Sequence, residues 1–258
     1  MAVTLLEHDG GARIALTFAH PKGNILTAAL VSEWRRVLAG LAASSRAQHI
    51  KLLTIEGAGN DFCFGANIPE HAPGVIEQVL PDMNALILDL LTLPMPTMAV
   101  VRGRCLGGGF EVALACDVIV AEASATCGLP EIAIGAFAPI ASVLLPRRVG
   151  GARATAALLS GLSRSAVEWQ ADGLIERVAL DGHVSDAVDE WYQASVGRWS
   201  AEALRHAVVA ARADVLAAAR AGLPVTTRLY VESLAQTHDA AEGVTAFLEK
   251  RAAVWTDR

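Results

Sequence analysis

Three consecutive glycines, Gly107 to Gly109, interrupt the chain between a run typical of a strand and a run typical of a helix. The surrounding residues read GRCLGGGFEVALACD, from Gly103 to Asp117. Glycine has no Cβ, so it accepts backbone conformations that other residues avoid and allows a close approach. Two residues after the glycines, Glu111 places a carboxylate in an otherwise apolar helical run. Within a few residues a strand must end, a helix must begin and a charge must be accommodated.

Short strands and helices alternate along the rest of the first part of the chain. Apolar periodicity predicts one helix after a Thr27 cap and another over Val75 to Leu93, which Pro94 and Pro96 end. Strands joined to helices by glycine-rich turns are typical of an α/β fold. The predicted strands are ARIALTFA at 12–19, IKLLTIEG at 50–57, TMAVVRGRC at 97–105 and DVIVAE at 117–122.

The character changes after about Gly197, where the sequence becomes helical throughout. Two alanine-rich helical stretches are predicted there, with Gly222–Pro224 between them. Such helices carry thin apolar stripes and bury little surface alone. We therefore expect two regions, a core at 1–197 and a helical region at 198–258 that packs on the core or on another copy.

Composition excludes several classes of protein. The formal net charge of the 258 residues is −6, with lysines and arginines scattered, which argues against a nucleic-acid partner. The longest uncharged run, Ile132 to Pro146, is too short to span a bilayer, and no signal peptide is recognised, so a cytoplasmic protein without a membrane partner is expected. Four cysteines without a CxxC pair, and histidines without ligand spacing, predict reduced thiols and no metal.

The triple glycine has three possible interpretations. A phosphate-binding loop is disfavoured, because neither GxGxxG nor GK[ST] is present. A tight turn between a closely packed strand and helix is the structural alternative. The third is an oxyanion site, in which bare backbone N–H groups at a helix N-terminus approach a ligand. These last two are not separated by the glycines alone, and Glu111 could equally be a residue that stabilises the helix dipole.

Two further loops favour the oxyanion interpretation. FCFGANI, at 62–68, places Gly65 and Ala66 after a strand and a turn, and CGLPEIAIG, at 127–135, places Glu131 among apolar residues. Apolar surroundings disfavour an ionised carboxylate, as a general acid or base requires. Two backbone donors and two carboxylates suit a reaction in which charge builds on a carbonyl oxygen while protons move nearby.

These motifs, in this order and at these separations, resemble the crotonase (enoyl-CoA hydratase/isomerase) superfamily. HPKGNILT near the start and EGVTAFLEKRAAVW near the end extend the resemblance over essentially the whole chain. It implies an α/β spiral of ββα units with a helical C-terminal trimerisation region, assembled as a homotrimer or a dimer of trimers. It also implies an acyl-CoA substrate, with coenzyme A arriving as part of that substrate and no separate cofactor.

The resemblance also implies residue roles. Ala66 and Gly108 match the two residues whose N–H groups form the oxyanion hole, and Glu111 and Glu131 match the two catalytic glutamates of hydratases. Glu111 would take a proton from water and Glu131 would exchange a proton with the substrate carbon. Many relatives that catalyse other reactions lack one or both of these carboxylates, so the presence of both favours hydration of a conjugated enoyl thioester. The implied substrate-binding residues are Phe64, Gly65, Asn67, Ile68, Gly107 and Phe137.

Two departures from the common pattern bear on the substrate. Asn67 stands where the family often has Asp, and AFAPIASVLLP replaces a glycine-rich run, so that Phe137, Pro139 and Ile140 are expected to shape the acyl pocket. FGANIPEHAPG and IGAFAPIAS resemble hydratases of a ring-shaped dienoyl-CoA from aromatic (benzoyl-CoA) degradation. A general 2-enoyl-CoA hydratase or isomerase is the alternative. A catalytically inactive relative that binds acyl-CoA or RNA is a further alternative. Such a protein is expected to lack one of the two glutamates or to carry a basic surface, and this sequence shows neither. His71 either reaches the site or caps the next helix.

Overall fold

Two β-sheets form the centre of the fold, and successive segments of the chain contribute to both. The computed structural model describes residues 2–72 and 74–258; Pro73, within the segment FGANIPEHAPG, lies outside the described residues. The strands are β1 (Val3–His8), β2 (Arg13–Phe18), β3 (Leu52–Gly57), β4 (Thr97–Val101), β5 (Arg104–Leu106), β6 (Val118–Glu122), β7 (Thr126–Gly128), β8 (Arg164–Ser165) and β9 (Arg177–Ala179).

Helices connect and cover these strands. They are α1 (Ala28–Ala43), α2 (Ile76–Thr92), α3 (Gly108–Ala115), α4 (Pro139–Val149), α5 (Gly151–Ser160), α6 (Ala166–Ala171), α7 (Val184–Ala194), α8 (Ala201–Ala211), α9 (Ala213–Arg228) and α10 (His238–Glu249). Within residues 2–72 and 74–258, no helix is long and apolar enough to cross a membrane.

The larger sheet has the strand order β1-β2-β3-β4-β6-β9, and the smaller has the order β5-β7-β8. In the larger sheet only β1 and β2 are antiparallel, and the remaining pairs are parallel. Parallel neighbours require crossover connections, and helices supply them. This arrangement confirms the predicted α/β class.

Each turn of the chain places one segment in each sheet before a helix returns. β4 is followed by β5 and then α3, and β6 is followed by β7. β3 is followed by Cys63, which bridges in parallel to Cys105 of β5, and Cys105 pairs in turn with Cys127 of β7. The repeated ββα unit is the spiral that the resemblance implied.

The single strand predicted at 97–105 is wrong, because the structure divides it into β4 and β5 in different sheets. The division falls at Gly103, which has a φ of +48°. A Cβ on Gly103 would lie 2.4 Å from the carbonyl oxygen of Asn60. The backbone turns here against a neighbouring loop in a position that only glycine can occupy.

Helices cover the larger sheet on both faces. On one face α1, capped by the Thr27 side chain, buries Trp34, which stacks on Phe18 of β2 with 4.6 Å between ring centroids. On the other face α7 places Val184, Val188 and Tyr192 in a second apolar cluster. A sheet buried on both faces explains the apolar runs of its parallel strands.

The C-terminal helices divide at Arg212, between α8 and α9, and the division predicted at Gly222–Pro224 is wrong. α9 runs through Pro224, and a Cβ on Gly222 would lie 2.9 Å from Val143 of α4, so the glycine permits two helices to pack closely. Arg212 is 3% exposed and pairs with Asp117 through Nε and Nη2. This buried ion pair anchors the C-terminal helices to the sheet, while the regional boundary at 197/198 stays a prediction.

Candidate active site

A cavity of about 580 Å³ lies among the loop at 64–68, the triple glycine, the turn at 130–134 and the C-terminal helices. Cavities of this size accommodate small-molecule ligands. The structure brings the residues predicted as glutamate, oxyanion-hole and substrate-binding residues to its lining: Phe64, Gly65, Ala66, Asn67, Ile68, Gly107, Gly108, Glu111, Glu131 and Phe137.

The positions of the two predicted oxyanion donors follow from the register of the smaller sheet. Cys63 and Cys105 are bridged in parallel, so Ala66 and Gly108 each lie three residues beyond a paired position. The Leu26 N–H donates to the Gly65 carbonyl and the Asn67 N–H donates to the Leu26 carbonyl, both at 2.9 Å. Leu26 thus occupies one edge of this loop, and in such a parallel bridge the intervening N–H of Ala66 points away from it.

The N–H groups of Ala66 and Gly108 are free of protein acceptors in residues 2–72 and 74–258. Gly108 is the first residue of α3, where N–H groups lack partners within the helix. A Cβ on Gly108 would lie 3.5 Å from the Ala66 nitrogen, so the two backbones are close neighbours. An unpaired donor at a helix N-terminus, with a second on the adjacent loop, can stabilise negative charge on an oxygen atom.

The neighbouring glycines have separate tasks. Gly107 has a φ of +52°, and a Cβ there would lie 2.9 Å from Oε1 of Glu131. A Cβ on Gly109 would lie 2.4 Å from the Cβ of Cys63. The first glycine thus admits a carboxylate beside the backbone, and the last lets α3 pack on the loop that carries Ala66.

Glu111 is 4% exposed and faces the N-terminus of a second helix, α4. Its Oε1 accepts hydrogen bonds from the backbone N–H groups of Ile140 at 3.0 Å and Ala141 at 2.9 Å. Burial raises the pKa of Glu111 to about 7, and the two N–H donors oppose that shift. Glu111 therefore does more than stabilise the dipole of its own helix, because α4 holds its carboxyl group in the cavity.

Glu131 approaches the cavity from the 3-10 turn Pro130–Ile134. Its Oε2 is buried and has no hydrogen-bond partner among the described residues. Burial, followed by repulsion from Glu111, raises the pKa of Glu131 to about 8. Two carboxyl groups with raised pKa values in one cavity can exchange protons near neutral pH.

The remaining lining is mostly apolar and includes Met83, Ile134 and Phe247. Of the bulky residues expected to shape the pocket, Phe137 and Pro139 do line it, but the Ile140 side chain does not. Ile140 is fully buried in the main core because α4 turns its side chain away from the cavity, and it reaches Glu111 only through its backbone N–H. The prediction that the Ile140 side chain shapes the acyl pocket is therefore wrong.

His71 lies in the cavity lining, whereas α2 begins later, at Ile76, and has no side-chain cap. Its Nδ1 lies 3.2 Å from the Asn67 carbonyl, and burial lowers its pKa, which favours a neutral ring. Asn67 also donates its side-chain N–H to Glu70 at 3.1 Å. His71 and Asn67 therefore belong to the hydrogen-bonded segment that forms one wall of the site.

Sequence reasoning missed the contribution of the C-terminal helices. Tyr230, Gly243, Ala246, Phe247, Arg251 and Ala253 also line the cavity. A Cβ on Gly243 of α10 would lie 2.1 Å from the carbonyl oxygen of Ile134, so α10 packs directly on the turn that carries Glu131. The only local signal was the glycine in an otherwise regular helical pattern. No described group of three His, Cys, Asp or Glu residues is arranged to hold a metal.

The chain belongs to the enoyl-CoA hydratase/isomerase family, whose family model matches residues 10–258. Among individual relatives, it is 40% identical to the cyclohexa-1,5-dienecarbonyl-CoA hydratase of Thauera aromatica over 98% of this chain and 96% of that protein. It is 35% identical to the 2,3-dehydroadipyl-CoA hydratase of Escherichia coli K12 over 82% and 83% of the two chains. Among solved structures, an enoyl-CoA hydratase from Mycobacterium avium subsp. paratuberculosis K-10 has a TM-score of 0.87 and 28% identity, with 100% and 99% coverage.

Proposed function

We propose that this protein is a hydratase that adds water to cyclohexa-1,5-diene-1-carbonyl-CoA and gives 6-hydroxycyclohex-1-ene-1-carbonyl-CoA. The observation that carries the proposal is the pairing, in one cavity, of two unpaired backbone donors with two carboxyl groups of raised pKa. The likeness to the Thauera aromatica enzyme supports the cyclic substrate.

The chemistry of the diene explains why two carboxyl groups are useful. Water attacks the carbon β to the carbonyl, and electrons move onto the thioester oxygen and through the second double bond to the far end of the diene. Protonation there leaves one double bond conjugated with the carbonyl. Glu111 takes the proton from water, and Glu131 supplies the proton to carbon.

The N–H groups of Ala66 and Gly108 stabilise the charge on the thioester oxygen. Removing one donor of this kind typically costs about 3–4 kcal/mol of transition-state stabilisation. The addition of water is redox-neutral, so we propose that no separate cofactor takes part and that coenzyme A is present only as part of the substrate.

The cavity wall favours an uncharged acyl group. A dehydroadipyl group ends in a carboxylate, which would need a cationic partner in the cavity. Among the described residues that line the cavity, Arg251 is the one arginine, and there is no lysine. Arg251 is paired with Glu242 through two nitrogen atoms and also with Glu249. The aromatic and aliphatic wall near Phe137 instead suits a flat ring.

We also propose that the protein is a homo-oligomer, a trimer or a dimer of trimers. Exposed large apolar side chains support this assembly, because association with another copy would remove them from water. Those in the C-terminal region include Val209, Val225, Leu229, Leu248 and Trp255. Sedimentation equilibrium measures the assembly directly, and a monomer at micromolar concentration would contradict it.

The function is tested by kcat/KM for cyclohexa-1,5-diene-1-carbonyl-CoA, crotonyl-CoA and 2,3-dehydroadipyl-CoA. We expect the cyclic thioester to be preferred by at least about tenfold, which corresponds to about 1.4 kcal/mol of differential transition-state binding. Higher efficiency with crotonyl-CoA would overturn the cyclic substrate, and no turnover of any of the three would overturn the hydratase.

A further inference from the structure

Tyr230 enters the cavity from a π-helical turn that follows α9. The turn spans Leu229–Ser233, and the Leu234 N–H donates to the carbonyls of Leu229 and Tyr230. A π turn inserts an extra residue into a helix and is frequent at functional sites. Tyr230 is 6% exposed, whereas the preceding Leu229 is 54% exposed, so the turn directs the tyrosine inward.

The Tyr230 ring forms part of the apolar wall. It packs against Phe137 with 5.3 Å between ring centroids and an interplanar angle of 50°. Both residues line the cavity together with Glu111 and Glu131. The two rings therefore give this wall an apolar surface, and the hydroxyl group of Tyr230 is the polar group on it.

Tyr230 lines the cavity, and its hydroxyl forms no hydrogen bond with another described residue and is not among the fully enclosed polar atoms. Burial, followed by the charges of Glu131 and Glu111, raises the pKa of Tyr230, so it remains a protonated donor at neutral pH. Oε2 of Glu131 also lacks a partner. A hydroxyl donor and an unpartnered carboxyl oxygen in the lining of one cavity can both form hydrogen bonds with a molecule that enters it.

We propose that Tyr230 is a further catalytic residue whose hydroxyl donates a hydrogen bond to the reacting oxygen, while its ring and Phe137 form the surface against which the acyl ring lies. This inference rests on the proposed function. The reacting oxygen is that of water in hydration and that of the ring hydroxyl in the reverse reaction. Tyr230 keeps its proton throughout, and proton transfer remains with the two glutamates.

The decisive variant is Tyr230→Phe, which keeps the ring and removes only the hydroxyl. We expect kcat for the cyclic dienoyl thioester to fall at least tenfold with little change in KM. Tyr192→Phe is the matched control, because Tyr192 is also buried but lies against the larger sheet, outside the cavity lining. It is expected to leave kcat unchanged.

A binding measurement separates the hydroxyl contact from general damage to the site. Tyr230→Phe is expected to weaken the binding of 6-hydroxycyclohex-1-ene-1-carbonyl-CoA about tenfold and to leave the binding of cyclohex-1-ene-1-carbonyl-CoA, which lacks the hydroxyl, unchanged. Equal affinities of wild type and variant for the hydroxylated thioester, or an unchanged kcat, would overturn the role of Tyr230. If the wild-type protein hydrates none of the enoyl thioesters, the proposed function itself is what fails.

Discussion

The carboxyl group of Glu131 lies beside the backbone of Gly107 in the cavity, since a Cβ on Gly107 would lie 2.9 Å from its Oε1. The glycine precedes Gly108, whose N–H is one of the two unpaired donors. The backbone that presents a donor to the substrate therefore also sets how closely a carboxyl group can approach. A change at Gly107 must affect both.

Gly107→Ala is expected to lower kcat by at least about a hundredfold, because the new methyl group displaces Glu131 from the substrate. It also forces a non-glycine residue to a φ of +52° with a ψ of −128°, a backbone conformation that residues with a Cβ avoid. Gly182→Ala is the control, because Gly182 has a φ of +80°, nothing within 4 Å and no place in the cavity lining. In urea unfolding, Gly182→Ala should lose only the stability that the positive φ costs, and Gly107→Ala should lose more because of the added contact with Glu131. Equal turnover of the two variants would contradict the contact.

Glu111→Gln and Glu131→Gln are each expected to lower kcat by roughly 10²–10⁴-fold, since an amide neither accepts nor supplies the proton. Substrate binding, measured by calorimetry with a non-reacting saturated thioester, should change little. Glu176→Gln changes an exposed glutamate outside the cavity and serves as the control. Near-wild-type turnover in both cavity variants would contradict a mechanism in which the two carboxyl groups transfer protons.

Stability is expected to fall as the pH rises through the window set by the two cavity glutamates. Their pKa values are raised from 4.5 to about 7 and about 8, so between pH 4.5 and pH 8 the folded protein holds protons that the unfolded chain has released. Each group then lowers the free energy of unfolding by about 1.4 kcal/mol per pH unit within its window.

The measurement is urea unfolding at several pH values, on the wild type and on the variant that carries both glutamine substitutions. The double variant should lose this part of the slope and should be more stable than the wild type at pH 8. The same slope in both proteins would mean that other groups cause it.

Gly243→Ala is expected to destabilise the protein by about 1–3 kcal/mol, because the methyl group would lie 2.1 Å from the Ile134 carbonyl and would force α10 off the turn that carries Glu131. Gly40→Ala is the matched control, since Gly40 lies in α1 and has nothing within 4 Å. A helical glycine in open space gains about 0.5–1 kcal/mol on replacement by alanine. The midpoint temperature of thermal unfolding should therefore fall for Gly243→Ala and rise for Gly40→Ala.

The loops that line the cavity were predictable because their signals are local. Three adjacent glycines, a small-residue pair after a strand and a glutamate in an apolar turn each carry a physical demand that can be recognised without tertiary structure. The neighbours that require the glycines are distant in sequence, Glu131 for Gly107 and Cys63 for Gly109, so the sequence alone did not reveal them.

Other features depend on packing that the sequence does not express locally. Gly103 turns the chain from one sheet to the other because it meets Asn60, and α9 continues through Pro224 because it packs on α4. Tyr230 lies in a helical pattern, and only the inserted π turn directs it to the glutamates. Ile140 was expected in the pocket because residue spacing alone does not reveal which side of α4 faces the cavity.

The part of the cavity lining that α10 and the residues after it form bears on when the site is completed during synthesis of the protein. A growing chain that has reached the end of α9 already contains both glutamates and both N–H donors, but the turn bearing Glu131 still lacks the helix that packs on it. Its carboxyl group would be open to bulk water, which would remove the burial that raises its pKa. We therefore expect a nascent chain that has not yet added α10 to be inactive even when its sheets have formed.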